Sequence, residues 1–124
     1  MTTVIIRKSK QNEYKSFTCM GHAGYANNGK HSFFKGLFHK EQPDFDIVCC
    51  AVSVLVTNTN NSLEILSKDK VSVTTNEETG FMHFVFDEPL SEEGKLLMDS
   101  LVLGLSHIEE EYGQKYLKLT FEEV

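Results

Sequence analysis

The chain has no basic excess. Its 12 Lys and Arg stand against 18 Asp and Glu, a formal net charge of -6 over 124 residues. Binding to a phosphate backbone needs an array of cations, so direct nucleic-acid recognition is disfavoured. A protein partner rich in Lys and Arg suits the charge better. There are three cysteines, Cys19, Cys49 and Cys50; an odd number with two adjacent does not make a disulfide framework. No apolar run approaches the length of a bilayer span, and Met1 to Lys10 lacks the apolar stretch and cleavage site of a secretory signal. The expected setting is therefore the reducing cytoplasm, away from membranes. No Gly-rich phosphate loop joins a strand to a helix, and nothing specific supports paired-carboxylate chemistry. His22, His31, His39, Cys49 and Cys50 offer zinc-ligand types, but their separations match no compact finger or ribbon, and no metal site is expected.

What is present is an ordinary globular composition, 40% hydrophobic and 24% charged. The length fits one domain, residues 1–124, able to bury a core without staples. Thr3 to Lys8 and Glu13 to Met20 alternate as strands around the polar Lys10-Gln11-Asn12, a hairpin. Gly21 to Phe45 loses periodicity and forms an extended loop at about 21–45, of a length that is usually functional or disordered. Asp46 to about Ser67 has helical spacing, with Ile47, Ala51, Val54 and Leu55 on one face and Leu63 and Leu66 extending it; Asn58, Asn60 and Asn61 weaken its second half, where a bend or an early end is expected. Val71 and Val73 mark one strand and Phe81 to Phe86 the next, joined through Asn76 to Gly80. Ser91, followed by Glu92 and Glu93, opens a second helix whose face reads Leu97, Leu101, Leu105, Ile108 and Tyr112 and which stops at Gly113. Gly104 beside that stripe permits close approach of a neighbour. Lys115 to Phe121 is a final half-buried strand. The order β-β-α-β-β-α-β predicts an α+β fold, with two amphipathic helices packed on a largely antiparallel sheet.

Chemistry concentrates at the start of the first helix. With Asp46 as its cap, Cys49 falls in the first turn, where open amides and the helix dipole favour a thiolate. Cys50 points about 100° away around the helix, in line with Ile47 and Val54 and so towards the expected core side. Ser53 lies one turn beyond Cys49. His22, between Gly21 and Gly24 just after a strand, is a candidate proton partner; taken singly it reads equally well as a surface loop histidine. The bland alternative for the cysteines is that both are small buried hydrophobes.

Gly21-His22-Ala23-Gly24-Tyr25-Ala26, followed by Asp46-Ile47-Val48-Cys49 and Ala51-Val52-Ser53, closely resembles the ribosomal-processing cysteine protease Prp family, long catalogued as a family of unknown function. The resemblance assigns a catalytic dyad to His22 and Cys49, with Asp46, Ser53 and Gly21 as supporting residues. It implies a cytoplasmic bacterial endopeptidase, homodimeric and free of cofactors. The implied substrate is the N-terminal extension of a large-subunit ribosomal protein, cleaved after a Phe-Phe pair.

The chain departs from that family's pattern twice. The connection from His22 to Cys49 is longer, the extra residues falling within Asn28 to Asp44, and Cys50 stands where a small alanine is usual. The longer connection contains Ser32-Phe33-Phe34-Lys35-Gly36-Leu37-Phe38. This is either an apolar loop packed on the sheet or a dimer partner, the favoured reading, or a segment that occupies the substrate groove. A second functional class, a non-catalytic protein-binding module of the same fold acting on a ribosomal or other basic partner, is opposed by the intact His22 and Cys49.

Overall fold

The computed structural model describes residues 2–21, 43–76 and 78–124, with the backbone alone for 43–46. Five strands and two long helices follow in the expected order: β1 (Thr2–Lys8), β2 (Tyr14–Met20), α1 (Pro43–Ser62), β3 (Val71–Asn76), β4 (Phe81–Phe86), α2 (Glu92–Tyr112) and β5 (Leu117–Glu123). The strands form one sheet in the order β3-β4-β2-β1-β5. All neighbours are antiparallel except β1 and β5, which run parallel. A parallel partner needs a crossover, and α2 supplies it.

The hairpins close as their turn residues dictate. Ser9 Oγ accepts from the amides of Gln11 and Glu13, and Asn12 takes a positive φ of 65°, which asparagine tolerates better than most residues. In the second hairpin Asn76 Oδ1 accepts from the Glu78 amide at 3.0 Å and Gly80 has φ 70°.

Both helices pack against the same face of the sheet. Val4, Ile6, Phe17, Phe84, Phe86 and Leu117 from the strands meet Val48, Val52, Val56 and Leu63 from the first helical segment and Met98, Leu101 and Leu105 from α2. Phe17 and Phe84 are register partners, and their rings stack with centroids 4.3 Å apart, the cross-strand contact at the centre of the core. The opposite face carries polar groups. There Arg7 Nη1 donates to Thr18 Oγ1 at 2.7 Å, Thr18 Oγ1 lies 2.9 Å from His83 Nδ1, and Arg7 Nε pairs with Glu122.

α2 begins and ends where the sequence signals lie. Ser91 Oγ accepts from the Gly94 amide, and Asp69 in turn accepts from both the amide and the hydroxyl of Ser91. A Cβ at Gly94 would stand 2.1 Å from Asp69 Oδ2, so only glycine lets that carboxylate sit over the helix start. At the other end Gly113 takes φ 92°. Glu109 Oε2 accepts from the Leu119 amide at 2.7 Å, tying the last turns of α2 to β5. The face of α2 differs in part from the expected one. Met98 is fully buried with Leu101 and Leu105, Leu97 and Ile108 are only partly covered, and Tyr112 is exposed. The buried line begins at Gly94, which has no side chain to announce it.

α1 departs further. It starts at Pro43 rather than at Asp46, in keeping with the preference of proline for a first helical position. Its buried line is Val48, Val52, Val56, Thr59 and Leu63, while Ile47 and Val54 are 42% and 46% exposed and Leu66 is 72% exposed. Of the expected face, Ile47 and Val54 are therefore turned outward, while Ala51 and Leu55 are half-buried and Leu55 packs against the core. The helix is apolar on nearly every side from Ile47 to Val56, so local spacing does not choose a face. Followed further, the Ile47–Val54 line reaches Asn58 and Asn61, both outward, whereas the Val48–Val52 line reaches Leu63. The asparagines do not end the helix early. It continues to Ser62 and then widens into a π turn over Leu63–Ser67, with Ser67 Oγ donating to the Leu63 carbonyl and Lys68 leaving at φ 60°. Where α1 crosses α2, Gly104 gives the expected close approach: a Cβ there would lie 3.0 Å from Leu55 Cδ1.

Candidate active site

β1 and β2 pair with Thr3 opposite Met20. β2 therefore ends at the start of β1, at the end of the sheet where β5 also begins, with Leu117 opposite Thr2. Gly21 has φ 106°, a conformation that strains any residue with a Cβ, and here the chain leaves β2.

Cys49 comes down on this same end from α1. It is fully buried, and its Sγ lies 3.5 Å from Thr2 Oγ1. Cys19 of β2 is also fully buried. Its thiol is pushed up to about 12, first by burial and then by the charge of Cys49, so it stays protonated at neutral pH. Cys50, expected on the core side, is instead half-buried on the side shared with the exposed Ile47 and Val54; burial raises its thiol too. The inward cysteine is Cys49. The reversal follows from the turned face of α1: the sheet takes the arc containing Val48, Cys49 and Val52, and Cys50, about 100° further around the helix, falls at its edge.

The earlier start of α1 also changes the local electrostatics. Asp46 lies within the first turn rather than capping it, and Cys49 falls in the second turn. Its amide is then beyond those without intrahelical acceptors, and the dipole, strongest over the first turn, acts on it less than expected. Ser53, one turn further on, is half-buried. His22 and the side chain of Asp46 lie outside the described residues, as do the loop from 22 to 42 and its Phe33-Phe34 pair. Thr2 and Cys19 were not singled out from sequence. The parity of β1 and β2 held the signal, since Thr2 continues the inward row of Val4 and Ile6, and Cys19 that of Phe17.

A buried helix-borne thiol against Thr2, at the end of a five-stranded α+β sheet where β2 gives way to Gly21, is a framework suited to thiol chemistry. Residues 1–118 match the family model described as cysteine protease Prp, and the chain belongs to that family of cysteine proteases. It is 27% identical over 116 residues to the ribosomal processing cysteine protease Prp of Bacillus subtilis, covering 90% of each chain. In fold it is similar to SMU.848 from Streptococcus mutans, with a TM-score of 0.75 at 24% identity, covering 100% of this chain and 99% of that one. It is likewise similar to the ribosomal processing protease Prp from S. aureus in complex with a substrate peptide, with a TM-score of 0.78 at 20% identity, covering 98% and 100%.

Proposed function

We propose that this protein is a bacterial ribosomal-processing endopeptidase that removes the N-terminal extension of a large-subunit ribosomal protein, cutting after a Phe-Phe pair in the cytoplasm. The observation that carries the reading is Cys49 Sγ lying against Thr2 Oγ1 at the end of the sheet where β2 stops at Met20, opposite Thr3, and the chain turns at Gly21, the residue before His22. The match to the protease family over residues 1–118 supports it, as does the processing role named for the Bacillus relative.

In this mechanism His22 accepts the Cys49 proton and the thiolate attacks the carbonyl carbon of the scissile bond. The C–N bond then breaks as the histidine returns the proton to the leaving amine, giving a thioester. Water, deprotonated by His22, releases the acyl group and restores the thiol. Asp46 orients the histidine, Ser53 hydrogen-bonds the reacting groups and Gly21 sets the direction in which His22 departs. Because Cys49 is fully enclosed, a substrate carbonyl reaches it only as surrounding residues move.

The protein acts as a single catalytic domain, residues 1–124, and works as a homodimer. The exposed Ile47 and Val54 on α1 and Leu96 and Leu103 on α2 support the dimer, since large apolar side chains left on two helices favour a partner. Incubating the protein with a peptide spanning a Phe-Phe junction and reading the products by mass spectrometry tests the activity. Cleavage after the second Phe is expected; binding without cleavage would replace this reading with that of a non-catalytic module.

A further inference from the structure

We propose that Thr2 is a positioning residue for the reacting thiol: its hydroxyl donates a hydrogen bond to Cys49 Sγ that holds the sulfur at the end of the sheet and favours its anionic form. This rests on Cys49 being the nucleophile.

Thr2 opens the inward row of β1, and the next two members, Val4 and Ile6, are apolar. A hydroxyl sealed in such a row is costly unless it finds a partner, and Thr2 Oγ1 finds the sulfur at 3.5 Å. Its backbone is clamped independently. The Thr2 amide donates to the Tyr116 carbonyl at 2.9 Å, and Thr2 pairs with Leu117 in the parallel ladder. The β-branch restricts the remaining torsion, so the hydroxyl is delivered with little freedom to lose. With a neutral thiol either group can donate; once the sulfur is an anion only Thr2 can, and a hydrogen bond to an ion is the stronger kind. The contact therefore strengthens as the nucleophile forms.

The rest of the site leaves room for this role. Cys49 lies in the second turn of α1, where help from the helix dipole has faded. The nearby Cys19 of β2, its thiol pushed up by burial and by the charge of Cys49, stays neutral at neutral pH. His22 and Asp46 carry charge in the proposed mechanism and are unchanged among the variants compared below.

The test uses Thr2→Val, which keeps the shape and removes the hydroxyl, and Thr2→Ser, which restores it. Each is titrated by its ultraviolet thiolate absorbance, taken as the difference from the same protein carrying Cys49→Ala, and each is assayed for kcat and KM. In Thr2→Val the ionisation midpoint of Cys49 should rise by about half a pH unit or more and kcat at neutral pH fall about fivefold, with KM little changed. Thr2→Ser should return both towards wild type. A midpoint unmoved in Thr2→Val, or Thr2→Ser as impaired as Thr2→Val, overturns the proposal. If circular dichroism shows Thr2→Val unfolded, Thr2→Ala with the same readouts decides. The titration needs no substrate, so it stays readable if Cys49→Ala still cleaves, a result that would sink the nucleophile assignment itself.

Discussion

The two helices solve the same packing problem with opposite clarity. α2 announces its start with Ser91, its end with Gly113 and much of its burial with Leu101 and Leu105. α1 is apolar on nearly every side through Ile47 to Val56, begins three residues before its apparent cap, and turns towards the sheet the line next to the one its leucine and isoleucine suggest. The difference teaches where chemistry sits in this fold. α2 serves the core through Met98, Leu101 and Leu105 while leaving Leu96 and Leu103 outside, whereas α1 must also bury the chemical group Cys49 on one side while presenting Ile47 and Val54 on the other.

The strongest way to break this comparison is at the cysteine pair. Cys49→Ala should lower peptide cleavage by about 10³-fold or more, while Cys50→Ala retains most activity, measured as kcat/KM on a Phe-Phe peptide. The reverse ranking would mean that the outward line of α1 is the functional one. Next come paired truncations read by urea unfolding. Met98→Ala in α2 and Val52→Ala in α1 should each cost about 2–4 kcal/mol, because both side chains are fully buried. Tyr112→Ala and Val54→Ala should each stay within about 1 kcal/mol. Equal losses at Val52 and Val54 would erase the contrast between the two sides of α1.

A smaller effect sharpens the clarity of α2. Ser91→Ala should cost about 1 kcal/mol of stability through the lost cap. It should also change the acid limb of the stability curve. Burial alone would raise the Asp69 carboxyl, but hydrogen bonds from Ser67 and from the hydroxyl and amide of Ser91 outweigh it and hold the carboxyl below its ordinary value of 3.8. A carboxyl lowered on folding contributes stability that is present above the unfolded value and lost as pH falls through the folded one. Thermal melts of wild type should thus decline as pH falls below about 4, and Ser91→Ala should decline less over the same interval. Parallel curves would assign the acid loss elsewhere.

The order of elements along the chain, both hairpins, the cap at Ser91 and the stop at Gly113 were legible because each rests on local chemistry: period-two alternation, turn residues with positive φ, and a hydroxyl facing open amides. The resemblance carried by Gly21-His22 and Asp46 to Cys49 located the family. The face of α1 was misread because an all-round apolar helix gives no local preference, and the deciding residues, Asn58, Asn61 and Leu63, lie a few turns away. Pro43 was read as part of an irregular loop although its fixed φ suits a helix start. Thr2 escaped notice because a single threonine in a strand signals nothing until the sulfur beside it is placed.

The parallel pairing of β1 with β5 carries a kinetic consequence. Thr2 to Lys8 acquire one neighbour from the adjacent hairpin, but the other from Leu117 to Glu123, across nearly the whole described sequence. Contacts that distant form late, and strands joined across long separations slow folding. During synthesis β1 therefore remains an edge until β5 has emerged, and the clamp that fixes Thr2 under Cys49 closes among the last steps. A chain cut short before Leu117 would expose that edge and leave the thiol's support unmade, so full assembly of the site waits on the emergence of β5.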